Sequence, residues 1–304
     1  MPRPSPQTER IVMLMQLLAD HPDTGRSLAE IARHLGVAKA TCYPMVIALT
    51  EAGWLLRHPS HKTYRLGPAV IPIGAAAAAS SATIDAARAE MHSLADASGL
   101  ACVAFLRSGD DLVVGEVVQP DVGRRGTLGL RTGDTLELTP PLGASLAAWF
   151  TPDHLDEWFQ RGAARFGTTA DELRSAYQPI LEVIRERGYS VECADQSEHP
   201  LSSLVDELRG RDTEHPLTVL AARQAQRQLS LDVLVGTVEP SVTYRPISIN
   251  AVAFDADAQP AIALCLVDAS DPMPGARTAE IGERVRDSAA RVTRRLGGRA
   301  PKLD

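Results

Sequence analysis

Apolar positions recur at helical spacing between Thr8 and Ala19, where Ile11, Val12, Leu14, Met15, Leu17 and Leu18 mark one side of an amphipathic helix. The turn formers of DHPDTG close it. Ser27 and Glu30 in SLAE have the spacing of a capping box, so a second helix starts there and runs to Leu35, with Gly36 to end it. A third helix follows the GVA turn and reaches Ala52, where Gly53 stops it. WLLRH, PSHK and TYRLG then read as strand, turn and strand. Two helices joined by a short glycine-containing turn, with a third helix before and a hairpin after, predict a winged helix-turn-helix over residues 1–67.

Pro44 interrupts the third helix. A proline deep in a helix costs about 3 kcal/mol, whereas in the first turn its missing N–H has no partner to lose. The favoured reading makes Thr41 the N-cap and puts Pro44 in the first turn. The competing reading starts the helix near Ala38 and leaves Pro44 inside it.

Residues 68–98 are Ala-rich and then turn into IDAARAEMHSLADASG at helical spacing, which predicts a connecting helix. From Leu100 the period changes to two. LACVAFLR, GDD and LVVGEVV form a hairpin, and RRGTLGL a third strand. TPPLGASLAAWF predicts a helix with Thr139 as cap and Pro140 in its first turn. Thr169 and Glu172 open another capping box, whose helix ends at Gly188. ISINAVAFDADAQPAIALCLVDAS is a second hairpin, and Ala276 to Leu296 a closing amphipathic helix. Hairpin-paired strands with helices around them define an α+β body over residues 99–304 with an antiparallel sheet.

Charge changes the picture of the head. The net charge of the 304 residues is −7, yet residues 1–67 carry eight Lys or Arg against five acids, +3, leaving −10 for the rest. A basic head on an acidic body points to a polyanion partner for the head alone. The longest apolar run, VIPIGAAAAA, falls well short of the roughly 20 residues that span a bilayer, and MPRPSPQTER has no apolar core behind its charges. The expectation is a cytoplasmic protein without a membrane partner. Cys42, Cys102, Cys193 and Cys265 are scattered with no paired spacing, so they read as buried free thiols rather than a disulfide framework or metal site.

SLAEIARHLGVAKAT followed by LTEAGWLLRHPSHKTYRLG is similar to the DNA-binding head of the IclR family of bacterial transcriptional regulators. PLGASLAAW and INAVAFDADAQPAIAL resemble two landmarks of that family's effector domain, so the resemblance runs from about Glu9 to Leu296. It implies a helix joining head to body, a GAF-like or profilin-like body, and a homodimer or dimer of dimers. The chain departs from the pattern in three places. Pro44 stands where the family commonly has Arg, Ala144 follows Gly143 where Lys is frequent, and an inserted segment near 195–245 with helix-like stretches separates GYSVE from INAVAF.

Lys39 and Thr41 at the entry of the third helix, Tyr43 one turn in, and Ser27 at the head of the second helix are the candidate DNA contacts, with Arg57, His61 and Lys62 on the wing. In the body, strand alternation puts Ser248, Asn250 and Val252 on one side, and Cys265 with Val267 on one side of the next strand. The resemblance places effector contacts at Leu142, Glu192, Ser248, Cys265 and Val267. At TPPLG the two prolines leave the amides of Leu142 and Gly143 as the first free donors, which favours an apolar or aromatic effector over a very small acid. No catalytic fingerprint is present; Ser145, His199 and His215 have no triad spacing, and neither cofactor nor metal is called for. These observations predict a DNA-binding transcriptional regulator, a repressor or dual regulator, that binds a double-stranded operator under control of a small-molecule effector. The alternative is a hydrolase-like enzyme with an accessory DNA-binding head.

Overall fold

The computed structural model describes residues 5–19, 21–79, 81–122, 129–193, 234–267 and 271–302. It divides into two compact units, the first ending at Ser81 and the second starting at Ala82.

The first unit opens with α1 (Pro6–Ala19), then a two-residue strand β1 (Arg26–Ser27), α2 (Leu28–His34) and α3 (Lys39–Glu51). The hairpin β2 (Leu55–Arg57) and β3 (Thr63–Leu66) follows, and β1 adds to it on the β3 side to give a three-stranded sheet, β1-β3-β2. The apolar stripe of α1 delivers Leu14 and Leu18 to a core with Ile31, Cys42, Val46, Leu55 and Tyr64. Each such side chain contributes about 1.5–3 kcal/mol of transfer free energy. Ser27 caps α2 as the sequence predicts: its Oγ accepts from the Glu30 amide, and Glu30 accepts from the Ser27 amide at 2.8 Å. A single 3-10 turn (Pro68–Val70) leads into α4 (Ile71–Ala79).

Pro44 is where the favoured sequence reading fails. Helix α3 starts at Lys39, with Ala38 as its N-cap, and the amides of Thr41 and Cys42 both donate to the Ala38 carbonyl. Thr41 is thus the third helical residue and Pro44 the sixth, past the first turn. The proline removes one main-chain donor from the helix interior. Exposure of Ala40 and Pro44 leaves the unmatched carbonyl to water.

The second unit begins with α5 (Ala82–Ser98), so residues 68–98 hold two helices with a break between them. Strands β4 (Ala101–Ser108), β5 (Asp111–Val118) and β6 (Thr135–Glu137) precede α6 (Ala144–Ala147), α7 (Pro152–Phe166) and α8 (Ala170–Arg187). After β7 (Ser190–Cys193) come β8 (Thr243–Tyr244), β9 (Pro246–Phe254), β10 (Pro260–Val267), β11 (Met273–Pro274) and α9 (Gly275–Arg295). Six strands form one antiparallel sheet in the order β6-β5-β4-β10-β9-β7. The fold class is α+β. Of the third strand expected at 124–130, residues 124–128 lie outside the described residues; the strand beside β5 is β6. Residues 195–233 of the inserted segment, with His199 and His215, also lie outside them.

Strand alternation divides the core in two. Ile249, Ala251 and Ala253 of β9 and Leu264 and Leu266 of β10 face α5 and α9, which contribute Met91, Leu94, Ile281, Val285 and Val292. Val252 and Phe254, with Ala263, Cys265 and Val267, face the layer of α6, α7 and α8, filled by Trp158, Phe159, Tyr177 and Leu181. Ser248 and Asn250 share the parity of Val252, so two polar residues enter this second layer. Glu90 of α5 is buried as well, and it is neutralised: Arg291 Nε and Arg295 Nη2 of α9 reach it at 2.8 and 2.9 Å.

Candidate functional site: DNA interface and buried polar cluster

In the head, Lys39 is the first residue of α3 and is exposed, as are Thr41 and Tyr43, the latter 52% accessible. Ser27 is already occupied by its capping box. Its Oγ also donates to Glu30 Oε2 at 2.7 Å, so its side chain serves the start of α2 first. Arg57 ends β2 with its guanidinium 5.9 Å from the Tyr64 ring centroid. His61 and Lys62 are exposed in the turn of the hairpin, where Lys62 adopts φ 54°. Sequence reasoning overlooked His58, which builds that turn: its Nδ1 accepts from the amides of Ser60 and His61, each at 3.2 Å, and its ring lies 4.5 Å from that of His61. Four residues separate α2 from α3, so the pair has helix-turn-helix geometry with a cationic hairpin beyond it.

In the body, antiparallel register brings four polar side chains together. Ser190 pairs with Asn250 and Glu192 with Ser248 across β7 and β9; Asn250 pairs with Cys265 and Ser248 with Val267 across β9 and β10. Ser248 Oγ donates to Glu192 Oε2 at 2.7 Å. Asn250 Nδ2 lies 3.2 Å from Glu192 Oε1, 3.2 Å from Ser190 Oγ and 3.0 Å from Ser248 Oγ, so its two hydrogens are divided among three acceptors. When Glu192 is ionised it fixes the orientation of this amide, because only the nitrogen can donate to a carboxylate. Asn250 Oδ1 is then left buried without a hydrogen-bond partner among the described residues.

Burial pushes the Glu192 carboxyl up to about 7, opposed by the Ser248 hydrogen bond. Burial also raises the Cys265 thiol well above its ordinary value, with the Glu192 charge as the next cause. The contrast with Glu90 is chemical: Glu90 has two guanidinium partners, whereas no basic group among the described residues appears among the influences on Glu192. Arg187, on the helix leading into β7, is committed to the backbone carbonyls of Tyr189, Val235 and Gly236. Arg185 is likewise held by the Ala148 carbonyl.

Leu142 and Gly143 precede α6, which packs on β9 and β10. The Leu142 carbonyl accepts from Trp158 Nε1 at 3.1 Å. Gly143 is the N-cap of α6 with φ 77°, a left-handed conformation that favours glycine, and an added Cβ would push on the Leu138 side chain. The helix expected from Thr139 therefore begins later and is only four residues long. Thr139 caps no helix; its Oγ1 is buried and has no partner among the described residues. So short a helix offers no anion-binding end. Sequence reasoning also missed α7, although Thr151 as cap, Pro152 at its first position and the stripe Leu155, Trp158, Phe159 and Gly162 announce it. Among the described residues no hydrogen bond joins Ser145, buried in α6, to a His or Asp.

The first unit is a winged helix-turn-helix with an exposed third helix, the architecture of a DNA-binding head, and the sheet of the second unit buries a polar cluster. Residues 7–59 match the IclR helix-turn-helix domain. The chain carries that family's DNA-binding domain, and along its length it takes the fold of solved IclR regulators. The IclR transcriptional regulator of Alicyclobacillus acidocaldarius is 20% identical over 97% of this chain and 100% of its own, with a TM-score of 0.67. The IclR family regulator of Brucella abortus is 16% identical over 96% and 93%, TM-score 0.64. An IclR homologue from Microbacterium hydrocarbonoxydans, solved with 4-hydroxybenzoate, is 14% identical over 96% and 99%, TM-score 0.55. No curated protein matches the sequence.

Proposed function

We propose that the protein is a transcriptional regulator whose heads bind an operator and whose body senses a small molecule at the Glu192–Asn250 cluster. The carrying observation is the unsatisfied acceptor: among the described residues, Asn250 Oδ1 is buried without a partner beside a carboxyl that has no basic counterpart. A buried polar atom left unpaired costs about 1–3 kcal/mol, a penalty that a ligand donor removes. The surrounding Cys265, Val267 and Val252 are apolar, so the effector is an aromatic or otherwise apolar body carrying a hydroxyl or amine donor. The 4-hydroxybenzoate held by a protein of the same fold has such a ring and hydroxyl. Leu142 and Gly143 bring the loop before α6 to the same layer.

Operator binding uses two heads, because one small motif buries too little for useful specificity. The apolar surface of α4, with Ile71 69% and Ile73 47% exposed, supports self-association into a homodimer. A DNA partner places the protein in the cytoplasm. The test is calorimetric titration of the full chain with tyramine, 4-hydroxybenzyl alcohol and benzoate. Binding of the first two with little or none for benzoate supports the reading; binding of benzoate alone contradicts it.

A further inference from the structure

The face that α3 turns to solvent holds few hydrogen-bonding groups. Lys39 and Thr41 lie in its first turn; beyond them the exposed positions are Tyr43, Pro44 and Ala48, with half-buried Ile47 between, and the acidic Glu51 closes the helix. With Ala40 these residues follow helical spacing along one side. The side chains that read guanine and adenine by paired hydrogen bonds are Arg, Lys, Asn and Gln, and α3 exposes only Lys39 of these. Cations instead lie outside the stripe, Lys39 at the helix start and Arg57 and Lys62 on the hairpin beside His61.

Such a surface suits a polyanion at its rim and apolar groups at its centre. In the major groove of DNA the apolar feature of a base edge is the C5-methyl of thymine. We infer that α3 reads thymine methyl groups through Ala40, Tyr43 and Pro44, so that the operator carries thymines at the bases this helix faces. The inference rests on the DNA-binding reading above. It gives Pro44 a role: its ring supplies a rigid apolar contact at a position inside the helix that its missing N–H weakens.

The test begins with selection of full-length protein on a random double-stranded DNA library. Each thymine of the enriched duplex is then replaced singly by deoxyuridine, which deletes the methyl and preserves the pairing edge. We expect at least one symmetric pair of positions where uracil weakens binding about fourfold per methyl. In a parallel selection Pro44→Arg should shift the enriched base toward guanine. A library that yields no enriched duplex would overturn the DNA-binding reading itself. An enriched duplex indifferent to uracil at every position, or the same sequence enriched by Pro44→Arg, would overturn this inference while leaving DNA binding intact.

Discussion

Asn250 and Glu192 are tied across the β7–β9 pairing, Nδ2 donating to Oε1 at 3.2 Å, and the tie leaves the amide oxygen of Asn250 buried with no donor among the described residues. Among the described residues, a buried acceptor without a donor and a buried carboxyl without a cation thus sit on neighbouring strands. Glu90 shows that the fold supplies guanidinium partners where a buried charge is structural.

The Glu192 carboxyl makes stability pH-dependent in the direction opposite to an ordinary paired acid. Below 4.5 it is protonated folded or unfolded and contributes nothing. Between 4.5 and about 7 the unfolded chain ionises while the folded chain keeps its proton, so stability falls as pH rises, and the loss is complete above about 7. Glu192→Gln should therefore gain about 1–3 kcal/mol on the parent between pH ~5 and pH ~8 in denaturant unfolding followed by the body's Trp149 and Trp158. A constant difference between the two proteins across that range would show that Glu192 ionises freely in the fold.

Pro44→Ala restores a donor to the interior of α3. The head should gain about 1–3 kcal/mol, less a few tenths for the freer unfolded chain, and melt at higher temperature by Trp54 fluorescence. An unchanged or lower midpoint would mean that the proline sits in α3 without penalty.

Removing cations from the DNA face should act on every duplex alike. Lys39→Ala combined with Lys62→Ala should reduce the slope of log affinity against log salt by about one or two, read by anisotropy on a duplex of arbitrary sequence. Unaltered slopes would remove both residues from the interface.

Ser27 separates two roles by measurement. As the cap of α2, Ser27→Ala should destabilise the head by about 1 kcal/mol. Its effect on DNA affinity should vanish once conditions keep the head fully folded; a persistent loss would give Ser27 a direct contact.

Local signals carried most of the fold. The two capping boxes at Ser27 and Thr169 were legible because each lies within one turn of chain, and the closing helix because its apolar stripe repeats over 21 residues. Strand β1 was not, since Arg26–Ser27 is too short to show a period and exists only by pairing with Thr63 and Tyr64. Thr139 has the chemistry of a cap, but Gly143 takes the left-handed conformation that starts α6, and tertiary packing buries the threonine instead. Pro44 misled because propensity argues against an interior proline, while an exposed helix face can leave the stranded carbonyl to water. In the polar cluster, alternation identified the face of Ser248 and Asn250. Ser190, 60 residues from its partner Asn250, joined only through register.

The central claim, that a small molecule at the Glu192–Asn250 cluster governs DNA binding, is tested most directly by one titration. The duplex enriched by the full chain is titrated with parent and Asn250→Leu, each with and without tyramine. The account predicts that tyramine shifts the parent's midpoint at least about fivefold, the lower end of usual coupling, and leaves the variant's midpoint unmoved, because a ligand with no differential affinity for two states couples nothing. An Asn250→Leu protein that binds DNA and responds with the parent's shift would contradict it.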